Sequence, residues 1–194
     1  MQLGFGQVED MLSRQHQIDP DKRSAFANRL KHLQKLGFPP GVNTGRGVAA
    51  KYEANHLLLL ALAIELAQAG YNPERAISLI MGNLERIAKG CKLYFEIEEP
   101  VLCFIVPRGL ADLMIAEDRE KALRLTFLQR ENVARDFLRA PKGSYRLYVF
   151  SFSGVVDELG LRLSRSEIAS KEEFEAALDS WADHVIQEHS DGDT

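Results

Sequence analysis

A chain of 194 residues, 45% apolar and 27% charged, is an ordinary globular composition with room for one domain or two small ones and a sizeable core. The start, MQLGFGQVEDML, lacks a basic region followed by an apolar run, and the most apolar stretch, Leu57 to Ala67, is short and interrupted by Glu65; the expectation is a cytoplasmic protein with neither signal peptide nor membrane span. Net charge is −4 but unevenly divided: residues 1–89 hold 11 basic and 8 acidic side chains, residues 90–194 hold 13 and 20. A basic part joined to an acidic part points to a polyanion for the first and another role for the second.

In chain order, Gln7 to Gln17 has Val8, Met11 and Leu12 on one face and reads as a short helix. Asp19-Pro20-Asp21 breaks it and caps a second helix from about Lys22 to Leu36, closed by Gly37. This second helix begins a cationic island. Lys22, Arg23, Arg29, Lys31, Lys35, Arg46 and Lys51 fall between residues 22 and 52 with no Asp or Glu among them. Phe26, Leu30 and Leu33 share one helical face, and Ser24, Asn28, Lys31 and Lys35 share the opposite one. A hydroxyl, an amide and cations on one face suit base edges and neighbouring phosphates; the plainer alternative is an amphipathic helix with a solvated cationic face.

Phe38-Pro39-Pro40-Gly41 ends that helix, and Asn43-Thr44-Gly45-Arg46-Gly47 has the composition of a tight hairpin turn with an arginine at its tip. The nucleotide-binding alternative lacks both a Walker A lysine–hydroxyl pair and a GxGxxG pattern. Lys51 and Tyr52 add a cation and a phenol within reach of phosphates. A third helix, capped by Asn55, is apolar nearly all round and should be buried. Asn72-Pro73-Glu74 opens a fourth, with Ile77, Ile80, Met81, Leu84 and Ile87 on a single face and Gly90 as its stop.

The order of these parts resembles the winged helix-turn-helix of MerR-type regulators over about residues 5–88: a basic second helix ending in LGF, a turn with GRG and Tyr52, an apolar third helix, then GYNPERA. The resemblance implies Asn28, Arg29, Lys31 and Lys35 in the major groove, with Asn43, Thr44, Arg46 and Tyr52 in a wing on the DNA backbone. Arg29-Leu30-Lys31 stands where that family has Arg-Tyr-Tyr, and no long dimerisation coiled coil plainly follows the fourth helix.

Beyond residue 90 the pattern changes. KLYFEIE (92–98) alternates like a half-buried strand, VLCFIV reads as a central strand, and residues 124–129 and 145–152 supply two more. A polar helix is expected over 130–139, a helical turn capped by Ser153, and a last helix opened by the capping box Ser170–Glu173 with Phe174, Leu178, Trp181 and Val185 on one face. The tail 189–194 should be disordered. The fold class is thus α+β: a helical winged helix-turn-helix domain (1–90), then a small α+β domain with an antiparallel sheet (91–188).

Glu96, Glu98 and Glu99 could do acid/base work or hold a metal, but charge guarding a strand edge is the simpler reading. Cys91 and Cys103 suit a reducing compartment. His32 and His56 lack metal-ligand spacing. The reading has no enzyme, cofactor or metal. It expects a transcription regulator that binds double-stranded DNA through Ser24, Asn28, Arg29, Lys31, Lys35, Asn43, Thr44, Arg46, Lys51 and Tyr52. The protein would act as a homodimer, with the acidic module meeting an effector or protein partner and no membrane involved. The alternative is an interaction protein whose basic helices bind an acidic protein.

Overall fold

The computed structural model describes residues 1–42, 49–105, 124–129, 132 and 147–191. Its elements are α1 (Phe5–Gln15), a 3-10 turn (Pro20–Lys22), α2 (Arg23–Lys35), α3 (Ala54–Gln68), α4 (Pro73–Met81), α5 (Leu84–Glu96), β1 (Val101–Ile105), β2 (Thr126–Gln129), β3 (Tyr148–Ser151), α6 (Phe152–Arg165) and α7 (Lys171–Asp191). Among the described residues the protein is α+β, mostly helical, with an antiparallel three-stranded sheet. Two compact units result: residues 1–77 with 155–178, and residues 78–154 with 179–194. The first unit thus includes parts of α6 and α7.

In the first unit, α3 is the buried centre. Ala54, Leu57 to Ala63 and Leu66 are all removed from solvent, as an all-round apolar helix requires. Val8, Met11 and Leu12 of α1, Phe26, Leu30 and Leu33 of α2, and Val155, Val156, Leu159, Leu163, Phe174 and Leu178 complete its core. The helix ends follow local chemistry. Asp19 Oδ1 accepts the Asp21 N–H at 2.9 Å, and Asn72 Oδ1 accepts the Arg75 N–H at 2.9 Å. Gly37 and Gly70 close α2 and α3 at φ 78° and 88°, a conformation in which a side chain is strained, while Phe38 and Tyr71 N–H groups reach back to Leu33 and Leu66 carbonyls. Ser170 and Glu173 cap α7 reciprocally at 3.1 and 2.9 Å. The start of α3 is corrected: Asn55 lies inside the helix, and the Glu53 N–H is instead accepted by His56 Nδ1 at 3.0 Å.

In the second unit the sheet order is β2-β1-β3, so the apolar β1 is central. Cys103 pairs with Phe127 on one side and Phe150 on the other, and Val101, Cys103 and Ile105 share the buried face. The expected strand at 92–98 is overturned: residues 92–96 continue α5 straight through Gly90. The reason is packing. Ile87, Ala88 and Cys91 keep a helical burial period, and Gly90 lets the Phe127 ring of β2 lie against the helix; a Cβ there would stand 2.7 Å from that ring. Phe152 meets Phe127 edge-on, centroids 4.9 Å apart, which holds the ring in place.

The single fourth helix of the sequence reading is also two, broken at Gly82-Asn83. Asn83 is buried, donates to the Leu79 carbonyl at 2.8 Å and accepts the Leu125 N–H at 3.0 Å, tying the helix break to the approach to β2. Met81, the last residue of α4, is 37% exposed while Ile80 and Ile87 are buried. Ser151, not Ser153, caps α6 by accepting the Gly154 N–H at 2.9 Å; the Ser153 hydroxyl accepts the Val101 N–H at 2.8 Å. On α7, Ala182 is buried and Trp181 only half-buried. Residues 189–191 are helical, with His189 Nδ1 2.8 Å from the Val185 carbonyl and Ser190 donating to Ile186 at 2.9 Å. Residues 43–48 of the expected wing, the polar helix expected over 130–139 (Asn132 apart) and the last three residues lie outside the described residues.

Candidate nucleic-acid interface

The face of α2 is set by its buried side. Phe26, Leu30 and Leu33 face the core at 6, 2 and 7% exposure, which turns Ser24, Asn28, Arg29, Lys31 and Lys35 to solvent. Asn28 and Lys31 are three apart and Lys31 and Lys35 four apart, so they line one exposed stripe. Lys31 Nζ lies 5.7 Å from the centre of the Phe5 ring, a cation–π contact that holds its stem beside α1. Lys22 and Lys51 are exposed as well. Among the described residues none of Lys22, Arg29, Lys31, Lys35 and Lys51 makes an ion pair.

Arg23 belongs to a different group. Its Nε and one terminal nitrogen donate to the Glu9 carboxylate at 3.0 and 2.7 Å, and the other lies 2.9 Å from Asp10. Asp10 also takes the Arg14 guanidinium at 2.8 Å. Burial raises the Asp10 pKa, but the hydrogen bonds from Arg14 and Arg23 outweigh it and leave the carboxyl below its usual range. The hydrogen bonds that Arg23 donates to Glu9, and then to Asp10, raise its own pKa against the opposing effect of burial. This bidentate clamp fixes α1 on α2 and spends one cation of the island. Sequence reasoning missed it, although an acidic pair in α1 facing a basic first turn of α2 was a readable signal.

Tyr52 is corrected most sharply. It is 1% exposed, its hydroxyl accepts a hydrogen bond from Gln34, and burial pushes its pKa up. Its backbone exchanges two hydrogen bonds with Leu3, at 2.8 and 2.9 Å. The phenol is a core strut linking the chain after residue 48 to the N-terminus and to α2, and is not presented to a phosphate. Asn43, Thr44 and Arg46 lie outside the described residues, which resume at Ala49. His56 is a second strut. It hydrogen-bonds the Pro40 carbonyl and accepts the Glu53 N–H, and burial lowers its pKa despite Glu53 and Pro40 pulling upward.

Cys91 and Cys103 are free and fully buried; burial pushes the Cys91 thiol up to about 12 and Cys103 higher still, so neither is a thiolate near neutrality. Glu96 ends α5, and Glu98 and Glu99 are exposed in the turn before β1. Among the described residues no group of three His, Cys, Asp or Glu could hold a metal, and no helix is long and apolar enough to cross a membrane.

Compared with known proteins, the chain matches no family model, no curated protein and no solved structure.

Proposed function

We propose that the first unit is a DNA-binding module of the winged helix-turn-helix kind, resembling that of MerR-type regulators, and that the protein regulates transcription as a dimer. One observation carries this reading. The exposed stripe of α2 combines Ser24 and Asn28, which can read base edges, with Lys31 and Lys35, and Arg29 is exposed on its flank; no carboxylate of the described residues neutralises these cations. A solvated helix face in a chain of net charge −4 ordinarily intersperses both signs. The two acids of α1, Glu9 and Asp10, are both engaged by Arg23. Lys51, with Arg46 of the wing, extends the positive surface for the phosphate backbone, while Asn43 and Thr44 add hydrogen-bonding groups. Tyr52 supports that surface from behind. One such module covers a short half-site, so useful specificity calls for two copies.

The test is selection from random duplexes by wild type and by the Lys31→Ala/Lys35→Ala/Arg46→Ala variant. Enrichment of a motif with two half-sites by wild type, lost in the variant, supports the reading. Enrichment of nothing, together with salt-sensitive capture of an acidic protein, replaces it with an interaction module.

A further inference from the structure

The second unit contains a groove of about 410 Å³ along α5, walled opposite by the approach to β2 and its first residues, Leu125 to Phe127. That volume lies in the range of small-ligand sites, roughly 300–1,000 Å³. Its middle is apolar: Gly90 and Leu93 of α5 face Leu125 and Phe127. Gly90 brings the Phe127 ring against the helix backbone, and Phe152 packs edge-on against the same ring.

The charges are ordered along the helix. Arg86 and Lys89 stand at its N-terminal end of the groove and Glu96 at its C-terminal end, roughly 15 Å apart at 1.5 Å per residue. The third cation is already committed, since Lys92 Nζ sits 2.7 Å from both Asp179 and Asp183. Lys89 is exposed and shares its charge with Glu85 at 2.6 Å. Arg86 is exposed and, among the described residues, has no ion pair. A planar guanidinium with open donors beside an apolar trough selects a carboxylate attached to a hydrocarbon or aromatic body. The same trough ends on a carboxylate, which disfavours a second negative charge at the far end of such a ligand.

We propose that this groove binds a small amphipathic monocarboxylate, its carboxylate on Arg86 and its apolar body over Gly90, Leu93 and Phe127, with the tail directed toward Glu96. The site gives the second unit an effector-binding role of its own. Its occupancy is read without DNA, so it and the duplex selection succeed or fail separately.

The experiment is calorimetric titration of the full chain with octanoate, octanamide and octanedioate, on wild type, Arg86→Gln and Glu96→Gln, with circular dichroism to confirm folding. Octanoate should bind at least about tenfold more tightly than octanamide, the worth of one charge-assisted pair. Arg86→Gln should remove that advantage while leaving octanamide binding unchanged. Octanedioate should bind more weakly than octanoate to wild type and regain affinity in Glu96→Gln. Equal binding of octanoate and octanamide, no binding of either, or an Arg86→Gln variant that binds octanoate like wild type would overturn the proposal. An octanedioate affinity matching octanoate would overturn the placement of the tail.

Discussion

Arg29, Lys31, Lys35 and Lys51 are open cations, whereas Arg23 is held by Glu9 and Asp10. The two kinds should therefore separate in a salt titration on duplex DNA. Each phosphate contact contributes a slope of about −0.9 in log K against log salt, so four contacts give about −3.6. Raising salt from 50 to 200 mM, a fourfold change, then weakens binding about 150-fold through these groups alone. Each single substitution to Gln should flatten the slope by about 0.9, and the quadruple variant by about 3.6. Arg23→Gln should leave the slope nearly unchanged, because its charge is already compensated. It should instead lower stability by about 1–2 kcal/mol, after allowance for its partial exposure, since Glu9 is left without its bidentate partner. Fluorescence anisotropy at four salt concentrations measures the slopes, and urea unfolding measures the stabilities. A quadruple variant that keeps the wild-type slope refutes the interface. An Arg23→Gln variant that flattens the slope as much as Lys31→Gln refutes the division between open and spent cations.

Four further outcomes follow from packing and protonation. Burial, with Arg162 nearby, lowers the His16 pKa from 6.5 to about 4; its Nδ1 already accepts from Gln68 at 3.0 Å, which favours the neutral ring although Glu65 lies 3.5 Å away. The folded value is the lower one, so this stability is complete above pH 6.5 and is lost as pH falls toward 4, up to about 3 kcal/mol at 1.36 kcal/mol per unit; a His16→Gln variant whose pH profile between 7 and 4 matches wild type would contradict this. Tyr52→Phe removes the partner of Gln34 and should cost about 1 kcal/mol in urea unfolding, with duplex affinity at constant salt unchanged. Asn83→Ala orphans the buried Leu125 N–H and should cost about 1–3 kcal/mol, measured the same way. Gly90→Ala drives a Cβ into the Phe127 ring and should cost about 1–3 kcal/mol, relieved when paired with Phe127→Leu.

Local chemistry was readable in the sequence wherever neighbours a few residues apart decide the outcome. Asn72, Gly37, Gly70 and the Ser170–Glu173 box act within one turn of helix, and they end or start helices where the pattern placed them, whereas Asp19 caps the 3-10 turn that leads into α2 and not α2 itself. The two faces of α2 and the buried α3 followed from a helical period alone, and the unbroken apolar run of β1 marked the central strand. Where two periods fit one segment, the sequence could not choose. KLYFEIE alternates, yet Ile87, Ala88 and Cys91 upstream carry a helical period into it, and the contact of Gly90 with Phe127, 37 residues away, resolves it as helix. The fate of individual polar groups was also a tertiary decision. Arg23 and Lys31 look alike in a cationic island, but only Arg23 meets Glu9 and Asp10. Tyr52 reads as a surface phenol until Leu3 and Gln34 draw it into the core. A side chain's chemistry is local to its residue, whereas its burial and its partner depend on segments far away in the chain.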